Sequence, residues 1–201
     1  MIEQVRDVPG HEFDLAGYLA DFWPRFDRIT DVLWKLERIQ DFREPDDASW
    51  VAMIEGDWGR ALRLHDEKRD GLREYQERTK GFVRRRLRVV EHPVTPYLQW
   101  EMYVLRLRAQ AGEQGRVIPA EDVSYLEAQK PLPELLILGT ESLYEVIYDT
   151  TGTLRGGRRI DDPDVISACR QELAELYDKA EDLTAYFDRV IAPLPPPRAG
   201  G

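Results

Sequence analysis

Residues 83–101 read VRRRLRVVEHPVTPYLQWE, and this stretch decides the fold. Gly81 precedes a run rich in arginine and valine, which predicts a β-strand over residues 82–91. Thr95 and Pro96 then supply the N-cap and the first-turn proline of a helix, which Gly112 ends. The stretch therefore predicts a strand followed directly by a helix.

On either side of this stretch, further strands alternate with helices. This pattern indicates an α/β fold with one mixed sheet flanked by helices and closed by a long C-terminal helix. Before the stretch described above, the predicted elements are a helix from the N-cap Asp14, a strand over 32–40, a short helix opened by Asp47 and a long polar helix over 58–80. After it come a short strand over 116–118 and a strand pair over 135–138 and 143–148. A weak edge segment that ends near Ile160 and a helix that begins near Pro163 complete the chain.

The chain of 201 residues divides into three parts. Residues 1–30 are expected to form an N-terminal helical arm, of which residues 1–12 show no period and are expected to be loose. Residues 31–191 are expected to form the α/β domain with its C-terminal helix. The tail over 192–201 is rich in proline and ends in Gly-Gly, a composition typical of disordered segments. Its PLPPPR sequence resembles a polyproline ligand, but a plain solvated tail is the favoured interpretation.

The composition predicts a soluble cytoplasmic protein. Hydrophobic residues make up 42% and charged residues 33%, and no apolar run approaches the ~20 residues of a membrane helix. A single Cys169 cannot form an internal disulfide, and the first residues lack the pattern of a secretory signal. The net charge of −10 opposes association with nucleic acids and anionic membranes, so we expect neither as a partner of the isolated chain.

Arg84, Arg86 and Arg88 form an arginine row, because alternate side chains of a strand point to the same face. Three unpaired guanidinium groups cannot be buried, so this face must be open to solvent or matched by carboxylates. The functional hypothesis is a surface that binds an anion, a nucleic acid or a partner. The alternative, which the surplus of Asp and Glu favours, is pairing within the chain.

A second candidate site lies on the helix that follows. Tyr97, Trp100 and Glu101 share its inner face, so Glu101 is expected to be partly buried and to need a cation, either Arg88 or Arg108. The grouping is either a polar spot in an aromatic pocket for a small ligand or an ion pair that fixes the helix to the sheet. The second interpretation is favoured, since structural ion pairs also place carboxylates in apolar surroundings.

The sequence indicates no catalytic residue, no metal site and no cofactor. The three histidines and Cys169 show no ligand spacing, and nucleophile, kinase and dinucleotide motifs are absent. His92 is the one histidine worth testing, because it follows a strand at its carboxyl end. Residues 152–159, GTLRGGRR, resemble a phosphate loop, but the acidic residues that begin the next helix favour a turn followed by a helix cap.

Between Ile166 and Val190, apolar residues recur in steps of three and four, which predicts a heptad seam on one long helix. The seam either folds back over the N-terminal helices, with Phe22 and Trp23 among its contacts, or joins two copies in a homodimer. Its flanking positions lack the regular charges of a coiled coil, which favours packing within the chain.

The motif RVVEHP over residues 88–93, with Tyr97, Trp100 and Glu101 after it, resembles an actinobacterial family of unknown function. The likeness extends over roughly residues 30–180. Members of that family are often encoded beside helix-turn-helix regulators, so the resemblance implies a protein partner of that class. It implies no activity.

The order of elements also resembles, more distantly, one half of the phospholipase D-like fold. In catalytic members of that fold, a His-x-Lys motif lies on the strand that corresponds to residues 132–138 here, which read LPELLIL. The resemblance therefore implies a degenerate copy without the catalytic motif. These features predict a non-catalytic binding protein that acts through a protein partner, as an accessory protein or transcription regulator. The alternative is a small enzyme or ligand sensor built around Glu101.

Overall fold

A computed structural model of the chain describes residues 1–197, and of Asp70 it describes the backbone alone. The fold is α/β, with one mixed, open sheet of eight strands that helices flank, as the sequence predicts. The strands are β1 (His11–Asp14), β2 (Val32–Glu37), β3 (Val83–Val90), β4 (Gln114–Pro119), β5 (Leu135–Leu138), β6 (Ser142–Tyr148), β7 (Leu154–Ile160) and β8 (Glu181–Asp182).

Across the sheet the strands follow the order β1-β7-β6-β5-β2-β3-β4-β8. The central strands β2, β3 and β4 are parallel, and the other neighbours are antiparallel.

No helix within residues 1–197 has the length and apolar character needed to cross a membrane. The helices are α1 (Leu15–Phe26), α2 (Ala48–Ile54), α3 (Trp58–Glu67), α4 (Arg69–Arg78), α5 (Pro96–Gln110), α6 (Ala120–Val123), α7 (Pro163–Lys179) and α8 (Leu183–Tyr186).

The predicted strand and helix around residues 83–101 are β3 and α5. The Thr95 hydroxyl accepts a hydrogen bond from the Leu98 amide at 3.1 Å, and Pro96 occupies the first turn. Gly112 follows the helix with a φ of 88°, a conformation that side chains with a Cβ disfavour. Local capping chemistry therefore sets both ends of α5.

The two faces of the sheet differ in polarity. One face is apolar, and there Leu36 and Leu87 pack in one cluster with Leu173 of α7. On the opposite face α1 covers β5 and β6 through an aromatic cluster, whereas α5 covers β3 and β4 through an aliphatic one. Between α1 and α5 lies a strip of charged side chains from β2 and β3, and this strip holds the arginine row.

The expectation of a loose N-terminal arm is wrong. Residues Ile2–Asp7 form a 3-10 helix whose Ile2 and Val5 are fully buried in the cluster beneath α7. The Ile2 amide donates to Glu172 Oε2 at 2.8 Å, and β1 pairs with β7 along the sheet edge. Two apolar residues are too few to show a helix or strand period. Their burial could not be predicted from the sequence, because it depends on contacts with distant segments.

The predicted weak edge segment is β7, which lies inside the sheet because β1 covers its outer edge. α1 approaches β7 closely at Gly157, where a Cβ would lie 2.6 Å from the Tyr18 ring. The absence of a side chain at Gly157 therefore allows α1 to pack directly on β7. Asp162 accepts hydrogen bonds from the amides of Asp164 and Val165, so the favoured interpretation of a turn followed by a helix cap is confirmed.

The long polar helix expected over residues 58–80 is two helices, α3 and α4. Lys68 lies at the junction, and its amide donates to the His65 carbonyl at 3.1 Å in the tighter spacing of a helix end. Its ammonium group contacts Asp47 Oδ2 at 2.5 Å, which ties the junction to the start of α2. A tertiary contact thus divides a segment that is locally a continuous helix former.

The single long helix expected between Ile166 and Val190 is also wrong. α7 ends at Lys179, Ala180 is extended, and the short strand β8 follows before α8 and a π-helical turn, Phe187–Ile191. The first half of the seam packs on the apolar face of the sheet, and the second half packs against α5 on the other side. Neither Phe22 nor Trp23 belongs to these clusters within the described residues. Because the seam is buried in its own chain, it is not available for the homodimer considered above.

The first residues of the tail contact the rest of the protein, although they were predicted to be disordered. The Gln99 side chain donates to the Pro195 carbonyl at 3.0 Å, and Leu194 packs against the cluster formed by α5 and α8. The predicted disorder over 192–201 is therefore wrong for its first residues. The end of the tail, including Arg198 of the polyproline-like sequence, lies outside the described residues.

Replacing Ile2 by alanine tests whether the first residues belong to the core. Ile2→Ala removes fully buried atoms and should lower the free energy of unfolding by ~2–5 kcal/mol. The matched control Ile54→Ala removes the same atoms from a side chain that is 54% exposed and should cost far less. Urea denaturation followed by circular dichroism measures both, and equal stability of Ile2→Ala and the natural protein would contradict the buried N-terminus.

Candidate functional site

The candidate site is the charged strip on the sheet face between α1 and α5. β2 contributes Lys35 and Glu37, which lie in register with Arg86 and Arg88 of β3. The whole arginine row, Arg84 included, is buried on this face. Arg86 and Arg88 are matched by carboxylates of their own chain, which is the alternative that the surplus of acidic residues favoured, whereas Arg84 donates to the Ala111 carbonyl.

Arg86 is held by two carboxylates at once. Its Nη1 lies 2.6 Å from Glu37 Oε2, and its Nε donates to Glu113 Oε1 at 2.5 Å. Lys35 adds a second cation, with its Nζ 2.5 Å from Glu37 Oε1. Burial alone would raise the pKa of Glu37, but the charges of Arg86 and Lys35 outweigh it and lower that pKa. Glu37 is therefore an ionised carboxylate inside the protein.

Arg88 pairs with Glu101, one of the two pairings predicted. Its Nε donates to Glu101 Oε2 at 2.9 Å, and its Nη1 donates to the Glu37 main-chain carbonyl at 3.4 Å. Burial, and after it the charge of Glu37, raises the pKa of Glu101, although Arg88 opposes this shift. Arg108, the other candidate, lies 3.9 Å from Glu113 Oε2 instead.

Tyr97 and Trp100 complete the predicted grouping on α5. The Tyr97 hydroxyl donates to Glu101 Oε1 at 3.5 Å, and the two aromatic rings lie 5.4 Å apart. Trp100 donates its indole N–H to the Ser49 hydroxyl at 3.3 Å, which fixes α5 to α2. The structure thus brings Tyr97, Trp100 and Glu101 together with Arg86 and Arg88, whereas Arg84 lies apart from them.

The remaining candidates lie elsewhere. His92 is exposed after β3, and its Nε2 lies 3.5 Å from the Tyr186 hydroxyl. Cys169 is buried in the cluster beneath α7, and burial raises its pKa to about 12. Among residues 1–197, no three His, Cys, Asp or Glu side chains lie together as candidate metal ligands.

The two carboxylates that hold Arg86, Glu37 and Glu113, were not predicted from the sequence. Glu37 and Lys35 alternate with apolar residues along β2, and this alternation was the signal available in the sequence. Glu134 lies buried in the segment LPELLIL, where its Oε1 accepts hydrogen bonds from the amides of Arg38 and Ile39 at 2.6 Å each. Nothing in a leucine-rich run distinguishes such a carboxylate from a solvated one.

Two cavities adjoin the charged strip and share Lys35, Arg86 and Arg108 in their walls. The first, of about 170 Å³, lies next to Glu101 and is called the Glu101 cavity here. The second, of about 220 Å³, lies next to α1 and is called the Arg84 cavity. The Glu101 cavity is lined by four aromatic side chains and four acidic ones besides the shared residues. These are Phe42, Tyr97, Trp100 and Tyr148, and Glu37, Glu44, Asp47 and Glu101.

Residues 20–188 match the family described as "Domain of unknown function (DUF6879)". The chain belongs to that family. This match confirms the expectation that the chain belongs to a family without an assigned function. The position of its genes beside helix-turn-helix regulators and the resemblance to the phospholipase D-like fold stay predictions. No curated protein matches the chain.

Among solved structures, the chain is similar to the one described as "Structure of TrmBL2, an archaeal chromatin protein, shows a novel mode of DNA binding". The identity is 12%, the match covers 89% of this chain and 55% of that chain, and the TM-score is 0.42. The chain thus spans about half the length of that protein. A likeness of this degree carries no argument about function.

Breaking the Arg88–Glu101 pair tests its structural role. Arg88→Met leaves a buried carboxylate without its cation and should cost ~3–5 kcal/mol in the free energy of unfolding. The double variant Arg88→Met/Glu101→Leu removes both charges and should recover much of that loss. Lys80→Met, in the exposed pair with Glu77, is the control and should change little. In urea denaturation, a double variant no more stable than Arg88→Met would argue against the pair.

Glu134 should make stability depend on pH. Burial, and after it the charge of Glu37, raises the pKa of Glu134 to about 7 from its ordinary value of 4.5. The native protein therefore keeps a proton that the unfolded chain releases, so stability should fall as the pH rises from 4.5 to about 7. Glu134→Gln keeps the acceptor oxygen but does not ionise. Its free energy of unfolding should therefore lack this pH-dependent loss, which is on the order of 3 kcal/mol.

Urea denaturation at a series of pH values across this window measures the effect, as the difference between Glu134→Gln and the natural protein. Glu77→Gln, which changes an exposed carboxylate, is the matched control. If the stability of Glu134→Gln runs parallel to that of the natural protein over the window, Glu134 does not hold the proton.

Proposed function

We propose that this chain is a non-catalytic binding module that acts through a protein partner as an accessory or regulatory protein. The observation that supports the proposal is an apolar stripe on the outer side of α1. Leu15, Leu19 and Trp23 follow each other at four-residue spacing, which places them on one helix face. Their exposed fractions are 39%, 38% and 41%. Several large apolar side chains side by side on a rigid surface are a common feature of protein–protein interaction sites.

The α1 stripe is held firmly in place. The inner side of α1 packs Tyr18, Phe22 and Phe26 against the sheet. Trp23 contacts the rings of Phe22 and Phe26 at 5.2 and 5.4 Å, and the Arg78 guanidinium lies 4.8 Å from its ring centroid. A rigid tryptophan beside an arginine is the composition of a binding hot spot, because little conformational freedom is lost on association.

Arg86 and Arg88 act as scaffold residues in this proposal. Their guanidinium groups are buried and paired with carboxylates of the same chain, so they position β2, β3 and α5. Their contribution to partner binding is then indirect: they fix the sheet on which α1 packs.

The resemblance described above makes a helix-turn-helix regulator the partner to test first. DNA-binding proteins carry basic surfaces, and the net charge of −10 of this chain complements them. The same charge supports the proposal that the isolated chain does not bind nucleic acid. A cytoplasmic location is consistent with such a partner and remains part of the proposal.

The Glu101 cavity supports a second candidate function, that of a ligand sensor. Its aromatic wall faces buried acidic groups, and Glu44 at its rim makes no ion pair or hydrogen bond through its side chain within the described residues. Burial raises the pKa of Glu44, and the neighbouring charge of Glu101 contributes to the shift. A small organic cation is the ligand class that such a cavity would accept.

Co-purification tests the leading proposal. The chain, carrying an affinity tag, is expressed together with a helix-turn-helix regulator encoded beside it. Leu19→Glu and Trp23→Ser should weaken the complex at least thirtyfold, the ~2 kcal/mol typical of a hot-spot residue. Ile54→Glu, at an exposed apolar residue of α2, is the matched control and should bind like the natural protein. Equal recovery of the regulator with all variants would overturn the role of the α1 stripe.

A further inference from the structure

The Arg84 cavity is distinct from the Glu101 cavity in its charge and lies between α1, α4 and α5. Apolar and aromatic side chains form one wall, and basic side chains form the other. The apolar wall consists of Phe22, Trp23, Phe26, Leu33, Tyr75 and Leu136. The basic wall consists of Lys35, Arg84, Arg85, Arg86 and Arg108, with Glu113 as the one carboxylate among the described lining residues.

Three of these cations, Arg84, Arg85 and Arg108, make no hydrogen bond to a carboxylate among the described residues. Arg84 is only 5% exposed, and its Nη2 donates to the uncharged Ala111 carbonyl at 2.5 Å. Its Nη1 has no hydrogen-bond acceptor among the described residues. Arg108 is 37% exposed, and among the described residues its nearest carboxylate oxygen, on Glu113, is 3.9 Å away. Arg86 and Lys35, in contrast, are already paired with Glu37.

The guanidinium groups of Arg84 and Arg108 both lie beside the Tyr75 ring. The Arg84 Cζ lies 5.1 Å from the Tyr75 ring centroid, and the Arg108 Cζ lies 5.8 Å from the same centroid. A buried cation without a matched anion is unfavourable, and the unused Nη1 donor adds to the cost. An anion bound in the cavity would provide the missing charge.

We propose that the Arg84 cavity binds a small carboxylate that carries a flat apolar group. Guanidinium groups bind carboxylates in a planar, two-bond geometry, and the partly exposed Arg108 offers such a group to a ligand in this cavity. The apolar group lies against the aromatic wall formed by Phe22, Phe26 and Trp23. The volume of 220 Å³ is below the ~300–1,000 Å³ of sites for drug-sized molecules, so the ligand is small. Trp23 also belongs to the α1 stripe, so the tests of this site use residues outside that stripe.

Calorimetric titration of the full chain with benzoate tests the proposal. Benzoate should bind, inorganic phosphate should bind more weakly because it lacks the apolar group, and benzylamine should not bind in this cavity because its charge is opposite. Arg108→Gln should weaken benzoate binding about tenfold or more, the change that ~1.4 kcal/mol gives. Arg60→Gln removes the same charge from an exposed arginine on α3, paired with Glu55, and should bind benzoate like the natural protein.

Arg108 is partly exposed, so its replacement should leave the fold intact, and circular dichroism of Arg108→Gln verifies this. Phe26→Leu provides a second test, since it shortens the aromatic wall and leaves both arginines in place; it should weaken benzoate and leave phosphate unchanged. The proposal is overturned if benzoate gives no saturable binding, if it binds folded Arg108→Gln as tightly as the natural protein, if phosphate binds as tightly as benzoate, or if benzylamine displaces bound benzoate.

Discussion

The buried ion pairs between β2, β3 and α5 constrain the rest of the structure. Arg86 contacts Glu37 of β2 and Glu113 beyond the end of α5 at the same time, and Arg88 contacts Glu101 within α5. A guanidinium group this deep in a protein is strongly unfavourable without such partners. The pairs therefore allow one position of α5 over the sheet. Helices α2, α3 and α4, which pack on α5 or on one another, take their positions from it.

The same arrangement explains why both cavities adjoin the charged strip. α1 covers β5 and β6 with aromatic side chains, and α5 covers β3 and β4, so β2 runs beneath the space between the two helices. Charged side chains fill that space, but they cannot pack as densely as interlocking apolar ones. The ion pairs that fix the fold thus form the shared wall of two cavities with opposite charge, one rich in carboxylates and one rich in guanidinium groups.

Much of the fold follows from local patterns. The Thr95 cap, the Asp14 cap and the alternation of strands with helices are each visible in a short stretch of sequence, and the structure has them all. The common face of the arginine row also follows, because it needs only the two-residue period of β3. The burial of Ile2 and the break at Ala180 do not follow, because each depends on surfaces supplied by distant segments.

The sequence by itself determined the class of fold and the caps that begin its helices. It also determined that three arginines on one strand face need compensating charge if they are buried. It narrowed the partner of Glu101 to two residues. Only the tertiary structure decided that Arg88 is that partner, that Glu37 and Glu113 hold Arg86, and that Arg84 and Arg108 have no close carboxylate among the described residues. The physical reason is that strand and helix periods act over a few residues, whereas ion pairing in a sheet depends on which segments become neighbours.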